Sequence, residues 1–381
     1  MFKIWRKFHL ILALIFALPL LIISISGAII SYHDEIIEAF SKDEIDIATN
    51  KSALKIDEIL KVFSKTWPNF NLSYIKIKGE ANRAYVVSGT SESGEFKSFF
   101  VDPYTGEVVS ENSVEKFIGL ALNLHKNLGL ALFKNENLSK FASEIVAIST
   151  LALLAILLTG AFIQFWRFRS KFISAFKLNL KAKKFAFLYS LHGFLGLYLG
   201  AILLIICVSG LYFSYESFAK VINQICGEEK VFKKPNFTSK NGFSLNEKQK
   251  VENLHKAYEI FTLKFGNEFD ALNFILNKDG VKFMIFYLPK GASESDGVRL
   301  AVDTASGEIL KNTMPKSFEI YKFMLDLHAG YIFKEAGKFI FFMTSFGVGV
   351  LLFSGCVIYY KRRKKWFLFI YLLTLFSYYL K

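Results

Sequence analysis

Six histidines are few for a chain of 381 residues, and four of them fall into register. Residues 9–32 align with 192–215 without a gap at a constant offset of 183, matching His9 with His192, Ser26-Gly27 with Ser209-Gly210, and Ser31-Tyr32 with Ser214-Tyr215. His125 and His328 each close a Leu-His pair ahead of a further uncharged stretch, in which Thr159-Gly160 answers Ser354-Gly355. Self-similarity of this kind marks duplicated structural units. Imidazoles from two helices suit the two axial positions of a six-coordinate haem iron, perpendicular to the porphyrin plane. No CxxCH occurs, which excludes covalent attachment, so the expectation is two haem b groups. His9 and His192 would be the axial ligands of one iron, and His125 and His328 those of the other. Gly27 and Gly210 lie 18 residues beyond His9 and His192, about 27 Å along a helix and so at the depth of the His125/His328 pair. Gly160 and Gly355 lie likewise at the depth of the His9/His192 pair. Four such glycines would leave helix surface free of side chains for a flat macrocycle inside a four-helix bundle. Zinc or copper would find two histidines without a matching Cys, Asp or Glu an incomplete site. A lone histidine at a membrane edge is ordinarily an interfacial residue, and glycines in spans ordinarily serve helix packing. It is the fourfold register that carries the ligand reading. His33, in YHDE, and His255 break that register: His33 either lines the external site, where it is the nearest replacement for His125, or caps the membrane boundary, the favoured reading, and His255 reads as a residue of a loop-domain helix.

The elements that must hold these side chains are apolar helices. The chain is 52% hydrophobic and 21% charged, which excludes a disordered polyelectrolyte. Uncharged stretches at 8–33, 145–166, 185–215 and 339–360 are each long enough to cross a hydrocarbon core of about 30 Å. A fifth apolar run, 366–380, is too short for a straight span and reads as a tilted or interfacial terminal helix. The first stretch begins like a signal peptide, but it stays apolar to Tyr32 and is expected to remain as an anchor. The net charge of +14 has a location. The segment before the first span, the linker 167–184 and the segment 361–381 together hold sixteen basic residues and no acid, while the two long loops, 34–144 and 216–338, are nearly neutral. By the positive-inside rule both termini and the linker are cytoplasmic and the long loops lie outside. The basic excess thereby has a membrane explanation, and no nucleic-acid partner is needed. Cys207, Cys226 and Cys356 do not form a disulfide framework.

The loops repeat as well. Each reads as a helix, three strands, a tight turn and a return helix; the turns VDPYTGEV and VDTASGEI carry Asp and Gly where an antiparallel hairpin needs them. The expected architecture is a membrane α-helical bundle of four spans in a tandem parallel repeat, with two α+β external domains at 34–144 and 216–338. The two His-to-Gly spacings of the return spans differ by eight residues, the extra ones falling near LGLALFKNENL, just before the second span.

Taken together, the WRKFH ending at His9, the paired SG, LH and TG/SG dipeptides, the two VDxx[TS]GE turns and the closing YYKRRKK resemble the PepSY-associated transmembrane family. That resemblance covers residues 1 to about 365. It implies PepSY domains in the periplasm and, as in the family's inner-membrane ferric-siderophore reductases, haem b held between four transmembrane helices. The resulting expectation is a multi-pass protein of the bacterial inner membrane that reduces a ferric siderophore. No GxGxxG motif occurs, so electrons would come from a cytoplasmic reductase or quinol. The alternative reading is a haem-free, membrane-anchored PepSY module that binds a peptide or protease. A transporter is disfavoured because the spans carry no Asp, Glu, Lys or Arg.

Overall fold

The computed structural model describes residues 2–47, 53–232, 242–292, 296–311 and 315–379, and of 311 and 363–379 the backbone only. In chain order, helices α1 (Phe2–Ile15), α2 (Ala17–Ser31), α3 (His33–Phe40), α4 (Lys42–Ile45) and α5 (Ile56–Thr66) precede strands β1 (Asn71–Lys78), β2 (Tyr85–Thr90), β3 (Phe96–Val101) and β4 (Val108–Glu111). Helices α6 (Ser113–Asn127), α7 (Glu136–Arg167), α8 (Lys184–Ser214) and α9 (Glu216–Ile225) follow. The chain ends with β5 (Phe243–Ser244), α10 (Lys248–Phe265), β6 (Phe269–Ile275), β7 (Lys282–Pro289), β8 (Val298–Asp303), β9 (Glu308–Lys311), α11 (Lys316–Ala329) and α12 (Lys334–Tyr379). These elements make two compact units, one of Met1–Ser31, Leu120–Val231 and Ile320–Lys381, the other of Tyr32–Gly119 and Phe232–Glu319.

The first unit is a helical bundle. Among the described residues, three stretches are long and apolar enough to cross a membrane: Glu136–Arg167 and Lys184–Ser214, with mean hydropathy 2.5 each, and Tyr331–Arg362, with 2.0. In the bundle α7 packs on α1, α2 and α8, and α12 packs on α2 and α8. The expected first span, 8–33, is not one straight helix. It breaks at Phe16 into α1 and α2, inclined at 64° to each other. Pro19 accounts for the break: it has no N–H for the Ile15 carbonyl, and its ring occupies the space that carbonyl would need. The segment after the last span is helical and belongs to α12, which runs without interruption through the basic cluster to Tyr379. Lys381 lies outside the described residues.

The second unit corrects the expectation of two sheet domains. Both loops contribute to a single antiparallel sheet of order β4-β3-β2-β1-β6-β7-β8-β9, with β5 also paired to β1. The junction is β1 against β6, from Tyr74 opposite Ile275 to Lys78 opposite Ala271. Strand alternation sends Ile75 and Ile77 to one face, where α5 and α10 cover the sheet. Ile59, Leu60 and Phe63 of α5 and Leu254, Ala257 and Phe261 of α10 bury themselves there with Leu72, Leu272, Phe274 and Phe283 in one continuous core. Joining β1 to β6 hides two strand edges that separate domains would each leave exposed. The two tight turns have the same geometry: Gly106 N–H donates to Asp102 O at 2.8 Å and Gly307 N–H to Asp303 O at 2.9 Å, with both glycines at φ 75°. A positive φ of that size is why each turn carries glycine.

Candidate functional site

The helical bundle brings the four in-register histidines together in two pairs. The rings of His9, on α1, and His192, on α8, have centroids 6.5 Å apart and planes at 90°. Those of His125, on α6, and His328, on α11, are 6.2 Å apart with planes at 62°. Two imidazoles on opposite sides of one metal ion, each bound at about 2.0 Å and with roughly 1.1 Å from nitrogen to ring centre, have centroids about 6.2 Å apart. Both pairs fall at that separation. The described residues contain no cluster of three or more His, Cys, Asp or Glu able to cage an ion. Each pair could therefore supply two ligands to a metal whose remaining positions come from a non-protein group.

Each imidazole is held by the helix it faces, in one repeated pattern. His9 Nδ1 lies 3.0 Å from the Ile156 carbonyl and 3.1 Å from Thr159 Oγ1. His328 Nδ1 lies 3.1 Å from both the Ile206 carbonyl and Ser209 Oγ. His125 Nδ1 meets the Ile23 carbonyl at 2.8 Å, and His192 Nδ1 meets Ser354 Oγ at 2.8 Å. A carbonyl can only accept, so Nδ1 of His9, His125 and His328 carries the proton and Nε2 keeps its lone pair. The Ser354 hydroxyl donates its own proton to Leu351 O at 3.0 Å and so offers Nδ1 of His192 an acceptor too. All four histidines are thus in the tautomer that ligates through Nε2.

The glycines sit directly beneath these rings. A methyl built on Gly27 would stand 3.0 Å from His125 Cε1, on Gly160 3.1 Å from His9 Cε1, on Gly210 3.1 Å from His328 Cε1, and on Gly355 3.3 Å from His192 Cε1. Sequence reasoning assigned these glycines to a macrocycle; in the structure each admits the Nδ1–Cε1 edge of one imidazole. The eight extra residues after His125 do not carry it out of place. Five lengthen the connection from the histidine to the start of the next helix, Glu136 against Lys334, and the other three lengthen α7 ahead of Gly160. His33 stands at the start of α3 in the sheet unit, its Nε2 3.5 Å from Asp34. His255 lies on α10 with Nε2 3.2 Å from Glu259. Neither joins a pair. What the sequence left unread is the hydroxyl before each glycine. Its signal is the residue preceding all four: Ser26, Thr159, Ser209 and Ser354.

The sheet unit has a cavity of its own, about 760 Å³, over the sheet face opposite α5 and α10. Tyr74, Lys76 and Arg83 line it with Asn273 and Phe286. Lys76 pairs with Asp34 at 3.1 Å, and the Tyr74 hydroxyl donates to Glu115 at 2.7 Å. Desolvation and then the Glu115 charge push the Tyr74 phenol up, so it stays protonated.

An apolar helical bundle with two imidazole pairs and an antiparallel sheet unit define a multi-pass membrane protein. Its sequence matches the family described as PepSY-associated TM region over residues 6–257 and 275–376, and the chain belongs to that family. No curated protein is similar enough to count as a match.

Proposed function

We propose that the protein is an inner-membrane electron-transfer protein holding two haem b groups, one per imidazole pair, and that it reduces a ferric chelate such as a siderophore on the periplasmic side. The observation that carries this reading is the near-equal separation of the two ring pairs, 6.5 and 6.2 Å, in two sites built by different helices. His9 and His192 would hold one group and His125 and His328 the other, each through Nε2. Bound there, haem would supply one-electron redox chemistry within the apolar bundle. The chain does the remaining work. Carbonyls and hydroxyls fix the imidazole tautomers, glycines let the rings approach, and apolar spans exclude water from the ligands.

Orientation follows from charge. Sixteen unbalanced basic residues at the termini and the 167–184 linker assign those segments to the cytoplasm and the sheet unit to the periplasm. On that reading His9 and His192 form the inner pair and His125 and His328 the outer pair. Helix α8 links the levels, since it carries His192 and, 18 residues on, Gly210 beside His328. With haem held there, the inner pair would be the side that faces a cytoplasmic reductase or quinol. The two loop segments with their spans derive from a tandem duplication whose external halves merged into one sheet. We place the ferric chelate at the sheet unit, whose cavity is lined by Lys76, Lys78, Arg83 and Arg299 beside Asp34, Glu38 and Glu115, with Tyr74 and Phe286.

The test is haem content by pyridine haemochrome on the purified full-length protein, expressed with ample haem. Two haem b per chain is the expected result. A colourless protein would refute the reading and favour a haem-free PepSY module that works through the sheet-unit cavity.

A further inference from the structure

The hydroxyl that precedes each glycine is placed for a task that helix packing does not require. Thr159 Oγ1 donates to Ala155 O at 2.7 Å, Ser209 Oγ to Ile205 O at 2.7 Å and Ser354 Oγ to Leu351 O at 3.0 Å. A hydroxyl has one proton, and in all three it is committed to the hydroxyl's own helix. The oxygen lone pairs then point an acceptor across the interface, and a histidine Nδ1 meets each of them: His9 at 3.1 Å, His328 at 3.1 Å and His192 at 2.8 Å. Three of these contacts join different helix pairs, α7 to α1, α8 to α11 and α12 to α8. Ser26 departs from the pattern. It donates to Ile22 O and Ile23 O, while His125 Nδ1 bonds to the Ile23 carbonyl itself at 2.8 Å.

We infer that Thr159, Ser209 and Ser354 are positioning residues that lock the tautomer and ring rotation of His9, His328 and His192 respectively, and that Ser26 does not serve His125 in this way. The inference rests on the proposed haem ligation and adds to it the side chains that orient the ligands. A committed acceptor opposite Nδ1–H keeps Nε2 as the lone-pair nitrogen and strengthens it as a donor to metal. The effect should be uneven. His9 and His328 have a carbonyl at 3.0 and 3.1 Å, as close as the hydroxyl, whereas at His192 the close bond, 2.8 Å, goes to the Ser354 hydroxyl and the Leu351 carbonyl is only a secondary partner. Losing a partner of this kind weakens metal binding about 10- to 100-fold.

The experiment uses full-length, haem-loaded protein and five single variants, Thr159→Val, Thr159→Ser, Ser209→Ala, Ser354→Ala and Ser26→Ala. Two properties are read: haem release to an excess of a haem scavenger, and the low-spin ferric EPR spectrum, whose g values follow the angle between the two imidazole planes. Ser354→Ala should speed release from the His9/His192 pair at least tenfold and move its EPR signal. Thr159→Val should do so more weakly, Ser209→Ala should act on the His125/His328 pair alone, and Ser26→Ala should change neither property. Thr159→Ser should restore both, because it keeps the hydroxyl and loses only a methyl. Haem retained at both pairs with release and EPR unchanged in Ser354→Ala and Thr159→Val would overturn the inference and leave the haem reading standing. So would a Ser26→Ala effect as large as that of Ser209→Ala. A wild-type protein without haem would overturn both. If Ser354→Ala fails to fold, Ser354→Thr, which keeps the acceptor, should load normally, and failure to load would count against the inference.

Discussion

Replacing Gly27 by alanine should loosen one haem and spare the other, and the four glycines provide a graded scale on which to test this. A methyl at Gly27 would stand 3.0 Å from Cε1 and 3.2 Å from Nδ1 of His125. Favourable carbon contacts lie at about 3.5–4.0 Å, so the ring edge must retreat by about 0.5 Å. The bond from Nδ1 to the Ile23 carbonyl, now 2.8 Å, then stretches to about 3.3 Å, beyond the usual limit of about 3.2 Å. Weakening that bond costs about 1 kcal/mol, and crowding a packed site adds about 1–3 kcal/mol. At about 1.4 kcal/mol per factor of ten, haem should leave the His125/His328 pair at least tenfold faster. At Gly355 the same methyl would stand 3.3 Å from His192 Cε1 and 3.9 Å from Nδ1, so Gly355→Ala needs far less retreat and should change release by no more than about threefold. Helix propensity acts in the opposite sense, since alanine is favoured over glycine by about 1 kcal/mol, so faster release in Gly27→Ala cannot come from a weaker helix. Haem transfer to a scavenger, followed optically, measures both. Equal release from Gly27→Ala and Gly355→Ala, or wild-type release from Gly27→Ala, would refute the reasoning.

Further outcomes follow from the topology, the single core and one surface carboxylate. Reporter fusions at Asn179 and Asn246 should report opposite sides of the membrane; equal signals would contradict the assignment from charge. Leu254, fully buried on α10, packs in a core shared by both halves of the sheet. Leu254→Ala should cost about 2–5 kcal/mol and lower hydrogen-exchange protection in β2 and β3 as well as in β7 and β8, whereas loss confined to β7 and β8 would mean two separate cores. The Lys116 hydrogen bond, opposed in part by desolvation and aided by Lys97, holds the Glu111 carboxyl below its usual range. That stability is fully present above the unfolded pKa and is lost as pH falls through the lowered folded value. Lys116→Ala should therefore reduce protection of β3 and β4 at neutral pH and match wild type in acid; a difference that grows on acidification would reverse the sign.

How much of this was legible in the sequence depends on the range of the interaction. The histidine and glycine positions could be read because a helix converts spacing into depth, and the two Asp-to-Gly turns because their chemistry is local. The break between α1 and α2 was present in the letters as Pro19, but counting uncharged residues measures length and ignores the missing N–H. The merger of the loops into one sheet could not be read from pattern. The β1–β6 pairing joins strands almost two hundred residues apart, and an edge strand that finds a partner alternates in the same way as one that does not. The hydroxyl contacts were hidden for a similar reason. A serine or threonine in a span ordinarily bonds its own helix, and only the neighbouring helix reveals that the spare lone pair has an imidazole opposite it.

The central claim is that two separate imidazole pairs each hold one haem b. Parallel haem quantification and optical spectra of wild type, His192→Ala and His328→Ala test it most directly. Two haems are expected in wild type and one in each variant, with a different spectral component missing from each and the remaining component still reducible by dithionite. Loss of the same component in both variants, or an unchanged haem count in either, would contradict it.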